Sequence, residues 1–241
     1  MYGLNAFALI ILALIVLFAR SVCRRAPADR LHCLHGVCLL LLLGNILRYT
    51  LLTVSKGSLV FPVEFSAVSY FVVPLIFLLK RKELYSLASY AGMTAGSCYY
   101  LTMILAGGRI YGAQPPYDVY LSLLFHGALL FCGMVTYDIH GETMKSCYKQ
   151  LLGIGAVAVR AALLRGWVEA PEGMLIYILL DRTPLQWLGI QLGGIGAAAY
   201  YAVLAGLVVL SLLLFYRAPH KKFSHEAKMN INVYANIEKI S

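Results

Sequence analysis

Charge is what this sequence has least of. Only 13% of its 241 residues are Asp, Glu, Lys or Arg and 61% are apolar, where a soluble globular chain carries about 25% charged and about 45–50% apolar residues. A water-soluble domain has no use for that balance. No polar stretch is long enough to form a second domain, so any chemistry has to sit in or at a bilayer. Acid is scarcest, with 11 acidic against 20 basic residues and a net charge of +9. Such an excess can serve nucleic acid, but here Lys and Arg sit in short clusters between apolar runs and not along a polar face. That pattern belongs to membrane topology: membrane lipids are the expected partners, with anionic headgroups at the cytoplasmic face and no nucleic acid. Paired cysteine motifs are missing too. Cys23, Cys33, Cys38, Cys98, Cys132 and Cys147 include no CxxC and fall mostly inside or on the cytoplasmic side of the apolar runs, so free thiols are expected, with no disulfide framework or zinc site. His32 and His35 share a helix face without further ligands at metal spacing, so neither a metal nor a cofactor is implied.

What the chain has in quantity is long apolar runs. The first, Leu4 to Ala19, has no basic residue before it and Arg20, Arg24 and Arg25 after it, the reverse of a cleavable signal peptide. It is expected to stay as a span with its N-terminus outside. Further runs cover His32 to Val54, Leu59 to Leu79, Leu84 to Ala106, Val119 to Tyr137, Leu151 to Val168 and Ile190 to Phe215, most of them near the ~20 residues that cross ~30 Å of hydrocarbon. The expected fold is all-α: a polytopic transmembrane helical bundle of about seven spans in the cell membrane. Residues 1–217 form this single domain, and residues 218–241 form a basic polar cytoplasmic tail.

Loop charge gives the orientation independently, because cytoplasmic loops collect Lys and Arg. The loops after the first, third, fifth and seventh runs carry Arg20/Arg24/Arg25/Arg30, Lys80/Arg81/Lys82, Lys145/Lys149 and Arg217/Lys221/Lys222. Those after the second, fourth and sixth offer only Lys56, Arg109 and Arg182. The N-terminus therefore reads as outside and the C-terminus as cytoplasmic. Met174 to Leu180 is too short to cross and is expected in the outer interface, before a turn at Asp181-Arg182-Thr183-Pro184. Small residues at 91–97 and 193–199 suit close helix packing. Pro62 and Pro74 predict a third helix that starts near the former and bends near the latter.

Ionisable side chains inside a span are costly and need a partner, a wet cavity or a task. Counting ~1.5 Å per residue from the outer ends of the runs, Arg48, Glu64, Ser66, His126 and Arg160 lie on the order of 7–14 Å below the outer surface. The inner half of the same helices is nearly free of charge. The economical structure is a polar pocket opening outward, lined also by Tyr99, Tyr100, Thr102 and Gln191 and ringed by Arg165, Glu169, Asp181 and Arg182. Each residue has a plainer reading as well. Glu64 can neutralise Arg48 or Arg160 as an ion pair that fixes register. His126 can be a hydrogen-bonded packing residue, Ser66 can bond the carbonyl four residues back, and the arginines can snorkel. Glu64 and Ser66, two residues apart, cannot both face His126 squarely on a regular helix.

The run Phe61-Pro62-Val63-Glu64-Phe65-Ser66, followed by Tyr70 to Leu79 and Lys80-Arg81-Lys82, resembles the YwaF-like family of integral membrane proteins. Leu123-Leu124-Phe125-His126-Gly127 resembles that family's histidine-bearing span, and Met174 to Pro184 its Tyr-containing stretch before the last helix. The likeness extends over roughly residues 30 to 217 in order and spacing. Eukaryotic relatives include a glycerophospholipid acyltransferase with a cysteine and a histidine in neighbouring spans, and the more distant androgen-induced family hydrolyses fatty-acid esters with a threonine and a histidine. The resemblance implies that His126 is the catalytic base and Ser66 the nucleophile, a hydroxyl in place of a thiol, with Glu64 where many members have histidine. In that chemistry His126 takes the proton of Ser66, whose oxygen attacks a lipid ester, while Arg48 or Arg160 holds phosphate or the developing oxyanion. A competing reading is a non-catalytic lipid- or solute-binding or transport protein, in which Arg48, Glu64 and Arg160 recognise a charged headgroup. A third is a structural partner subunit.

Overall fold

The computed structural model describes residues 2–62, 65–110, 116–140, 147–164 and 194–217. Among these the chain is all-helical. Seven α-helices follow in order, α1 (Tyr2–Cys23), α2 (Pro27–Lys56), α3 (Phe65–Leu78), α4 (Tyr85–Ile110), α5 (Pro116–His140), α6 (Cys147–Leu164) and α7 (Gly194–Arg217), with a short 3₁₀ turn at Lys82–Leu84. Each apolar run of the sequence falls on one of them. Helices α1, α2 and α5 are long and apolar enough to cross a membrane. The fold thus fits a membrane protein, as do the apolar side chains on its outer surface. Leu9, Ile10, Leu14 and Leu17 on α1 and Leu40, Leu43 and Leu47 on α2 are each more than half exposed, more apolar surface than a monomer in water exposes.

The helices stop where backbone chemistry requires. Pro27 opens α2, where a missing N–H costs nothing. Gly57 closes it with φ +64°, a left-handed conformation that glycine adopts without steric penalty. The third helix begins at Phe65, three residues after Pro62, and keeps Pro74 in its interior. It is shorter than its apolar run because residues 57–62 are not helical; there the Val60 N–H donates to the Thr53 hydroxyl at 3.2 Å.

The core is built around α4 and α5. A Cβ placed on Gly92 would stand 2.5 Å from the Leu129 carbonyl oxygen, and one on Gly133 2.5 Å from the Met93 nitrogen. Glycine at these positions lets the two backbones touch, and the Ser89 hydroxyl donates to the Gly133 carbonyl at 3.0 Å. Those contacts supply the packing that small residues promote between membrane helices. Of the other small-residue run, the side chains at 194–199 and residue 193 lie outside the described set. α7 docks further along, with Tyr90 bonded to Ser211 at 2.8 Å and Tyr137 donating to the Phe215 carbonyl at 3.0 Å.

α2 lies antiparallel to α5 along one seam. Arg30 pairs with Asp138 at 2.8 Å, the Cys38 and Cys132 sulfurs meet at 3.7 Å, the Gly44 backbone abuts the Phe125 ring, and Arg48 pairs with Asp118 at 2.6 Å. This seam sets the height of every polar group on α5. Tail residues 218–241 and the stretch Met174 to Pro184 lie outside the described residues.

Candidate functional site

His126 stands at the centre of the polar cluster. It is 6% exposed and held on three sides. Within α5 its Nδ1 lies 2.8 Å from the Ser122 carbonyl one turn earlier. From α3 the Tyr70 hydroxyl approaches its ring edge, 2.6 Å from Nδ1 and 3.0 Å from Nε2. From α4 the Tyr99 ring stacks on the imidazole, with centroids 3.6 Å apart and planes within 6°. A carbonyl only accepts, so the tautomer that satisfies Ser122 carries the ring hydrogen on Nδ1 and leaves Nε2 as the acceptor, with the Tyr70 hydroxyl within donating reach at 3.0 Å.

Arg48 joins the cluster from α2. Its Nη2 donates to Asp118 Oδ1 at 2.6 Å and reaches Ser122 Oγ at 3.4 Å. Asp118, Ser122 and His126 recur at every fourth position of α5, so a single helix face carries the acid, the hydroxyl and the imidazole. Arg48 Nε and Asn45 Oδ1, one turn apart on α2, are buried without hydrogen-bond partners among the described residues. Tyr100 lies beside the cluster and donates to the Leu123 carbonyl at 2.8 Å.

The other site residues are distributed differently. Ser66 is half-buried in the first turn of α3; it lies one turn before Tyr70 and on the same helix face, and no hydrogen bond joins it to His126 among the described residues. The hydroxyl that reaches His126 belongs to Tyr70. Glu64 lies outside the described residues, as do Arg165, Glu169, Asp181, Arg182 and Gln191. Arg160, on α6, donates to the Pro62 carbonyl at the entrance to α3 and has no carboxylate partner among the described residues. It sits in a groove of about 490 Å³ whose other walls are Phe61, Ala156, Val159 and Leu163. No hydrogen bond or ion pair links it to Arg48 or His126. Thr102 is turned outward and donates to the Cys98 carbonyl in its own helix at 2.9 Å.

The sequence reading missed Asp118, Ser122 and Tyr70. The four-residue recurrence of Asp118, Ser122 and His126 was available as a signal, as was the placement of Tyr70 four residues after Ser66. No family model, curated protein or solved structure matches the chain.

Proposed function

We propose that this chain is a multi-pass protein of the cell membrane, crossing about seven times with its N-terminus outside, that binds an anionic lipid headgroup or similar amphiphilic solute in the outer half of the bilayer without transforming it. Arg160 carries the proposal. Among the described residues its guanidinium meets only the Pro62 carbonyl, in a groove whose other walls are apolar, and a cation so placed calls for a mobile anion. The apolar walls suit an acyl chain beside the headgroup. Arg48, ion-paired with Asp118, adds a second guanidinium on α2, the sequence spacing expects Glu64 at similar depth, and the basic clusters on the opposite side face anionic headgroups of the cytoplasmic leaflet. Alternating loop charge supports the orientation.

Catalysis is the second reading, kept because Ser66 shares the α3 face of Tyr70 and because of the resemblance to YwaF-like proteins. It requires His126 to accept a proton from Ser66. The hydroxyl at His126 is that of Tyr70, and no hydrogen bond joins Ser66 to His126 among the described residues, which favours binding.

One experiment separates the two. The chain is reconstituted in lipid nanodiscs, and both retention of a fluorescent anionic phospholipid and labelling by an activated lipid ester are followed. Binding predicts that R160Q weakens retention tenfold or more, that S66A leaves it unchanged and that no acyl adduct forms. An adduct on Ser66, with turnover lost in both S66A and H126A, would establish the acyl-transfer or esterase reading instead.

A further inference from the structure

Away from the polar cluster, the seam between α2 and α5 holds chemistry that lipid binding does not use. Cys38 and Cys132 face each other across it, both 0% exposed, with sulfurs 3.7 Å apart. Their positions are 94 apart in sequence. Ion pairs brace the seam on either side of them, Arg30–Asp138 towards one end and Arg48–Asp118 towards the other. The helices are thus already fixed in the register that brings the two thiols together. A disulfide has its sulfurs ~2.05 Å apart, so the gap left to close between them is under about 2 Å.

We propose that Cys38 and Cys132 form an oxidation site, a dithiol that a lipid hydroperoxide converts to a disulfide tying α2 to α5. The surroundings select that oxidant class. Both thiols lie in a buried apolar cluster with Leu34, Leu41, Leu129 and Val135, so an oxidant reaches them only when the seam opens within the bilayer, and a hydroperoxide on an acyl chain dissolves in that hydrocarbon whereas polar oxidants do not. One cysteine sulfur attacks the terminal peroxide oxygen, the O–O bond breaks, and the lipid leaves as an alcohol that takes up the thiol proton. The sulfenic acid so formed is attacked by the second sulfur: the S–S bond forms, the S–O bond breaks, and water leaves with the second proton. Two thiols give up two electrons and one peroxide takes them. The product is a covalent clasp between the two ion pairs, and it holds together the helices that carry Arg48 and His126.

The test uses the full chain in lipid nanodiscs, treated with cumene hydroperoxide as the apolar oxidant or with oxidised glutathione as the polar one. With cumene hydroperoxide the intact mass is expected to fall by two hydrogens, with a disulfide-linked peptide pair from α2 and α5 and a rise in the heat-unfolding midpoint, all three reversed by dithiothreitol in detergent. The linked peptide should be missing from C38S and from C132S, and from C38A and C132A if a serine variant fails to fold. Oxidised glutathione should produce no link. The proposal is overturned if both thiols of the wild-type chain remain alkylatable after cumene hydroperoxide and denaturation, if oxygen is added without a link, if another cysteine pair joins, or if oxidised glutathione works equally well.

Discussion

Arg48 shows how far a single residue can be read from sequence. Its depth and its need for a counter-charge are legible, because hydrocarbon is a poor solvent for a guanidinium. The identity of that counter-charge is not, since Asp118 lies far along the chain and only the antiparallel seam of α2 and α5 brings it within 2.6 Å. The pair is only partly shielded, its side chains being 18% and 31% exposed, so its loss should cost less than a fully buried pair. We expect D118N to destabilise the protein by about 1–3 kcal/mol, because the Arg48 charge keeps its desolvation cost and loses its partner. The double variant R48M/D118L should lose less than the sum of the two single variants, read as heat-unfolding midpoints in one detergent; strict additivity would mean that the pair contributes nothing. Y70F makes a sharper test at His126. It removes one hydroxyl and leaves a buried imidazole nitrogen without its donor, a loss of about 1–3 kcal/mol. If binding is non-catalytic and runs through Arg160, Y70F should lower the unfolding midpoint while lipid retention falls less than twofold in folded protein.

The helices themselves were mostly legible as elements, because a run of apolar side chains near the length of a bilayer admits little else. For α3 hydropathy alone is not enough, since its run starts at Leu59 but its helix at Phe65; Pro62 supplied the start that hydropathy does not register. Which helices pair was harder to read. Glycines at 92 and 96 announce a close approach without naming the partner, and the structure supplies it in α5. A Cβ at Gly92 would meet backbone atoms, which cannot swing aside as a flexible side chain does. G92A and G133A are therefore expected to force α4 and α5 apart and to cost about 1–3 kcal/mol each. Gly36 and Gly155 have nothing within 4 Å of such a Cβ, and G36A should be neutral or stabilising by up to about 1 kcal/mol, since alanine is the better helix former. Equal unfolding midpoints for G92A and G36A would show that the α4–α5 contact is looser than described.

At the scale of the whole molecule, orientation follows from an asymmetry in charge. Arg20 in the last turn of α1, Arg24 and Arg25 after it, and Lys80, Arg81 and Lys82 after α3 are all exposed, and the antiparallel seam puts Arg30–Asp138 at the end of α2 and α5 opposite to Arg48–Asp118. If basic loops are retained in the cytoplasm, the His126 cluster and the Arg160 groove belong to the outer half, and a ligand enters from the exterior or the outer leaflet. In an otherwise cysteine-free chain, L59C is expected to react with a membrane-impermeant maleimide on intact cells, while K82C reacts only after permeabilisation. Both positions are exposed, so protection reports the bilayer and not the fold. The reverse pattern would invert the protein, moving Arg160 to the cytoplasmic leaflet, where anionic lipid is plentiful and the same cation would compete for far more ligand. Reaction of both sites on intact cells would mean that an odd number of crossings does not separate them, and α3 would then have to be moved out of the set of spanning helices.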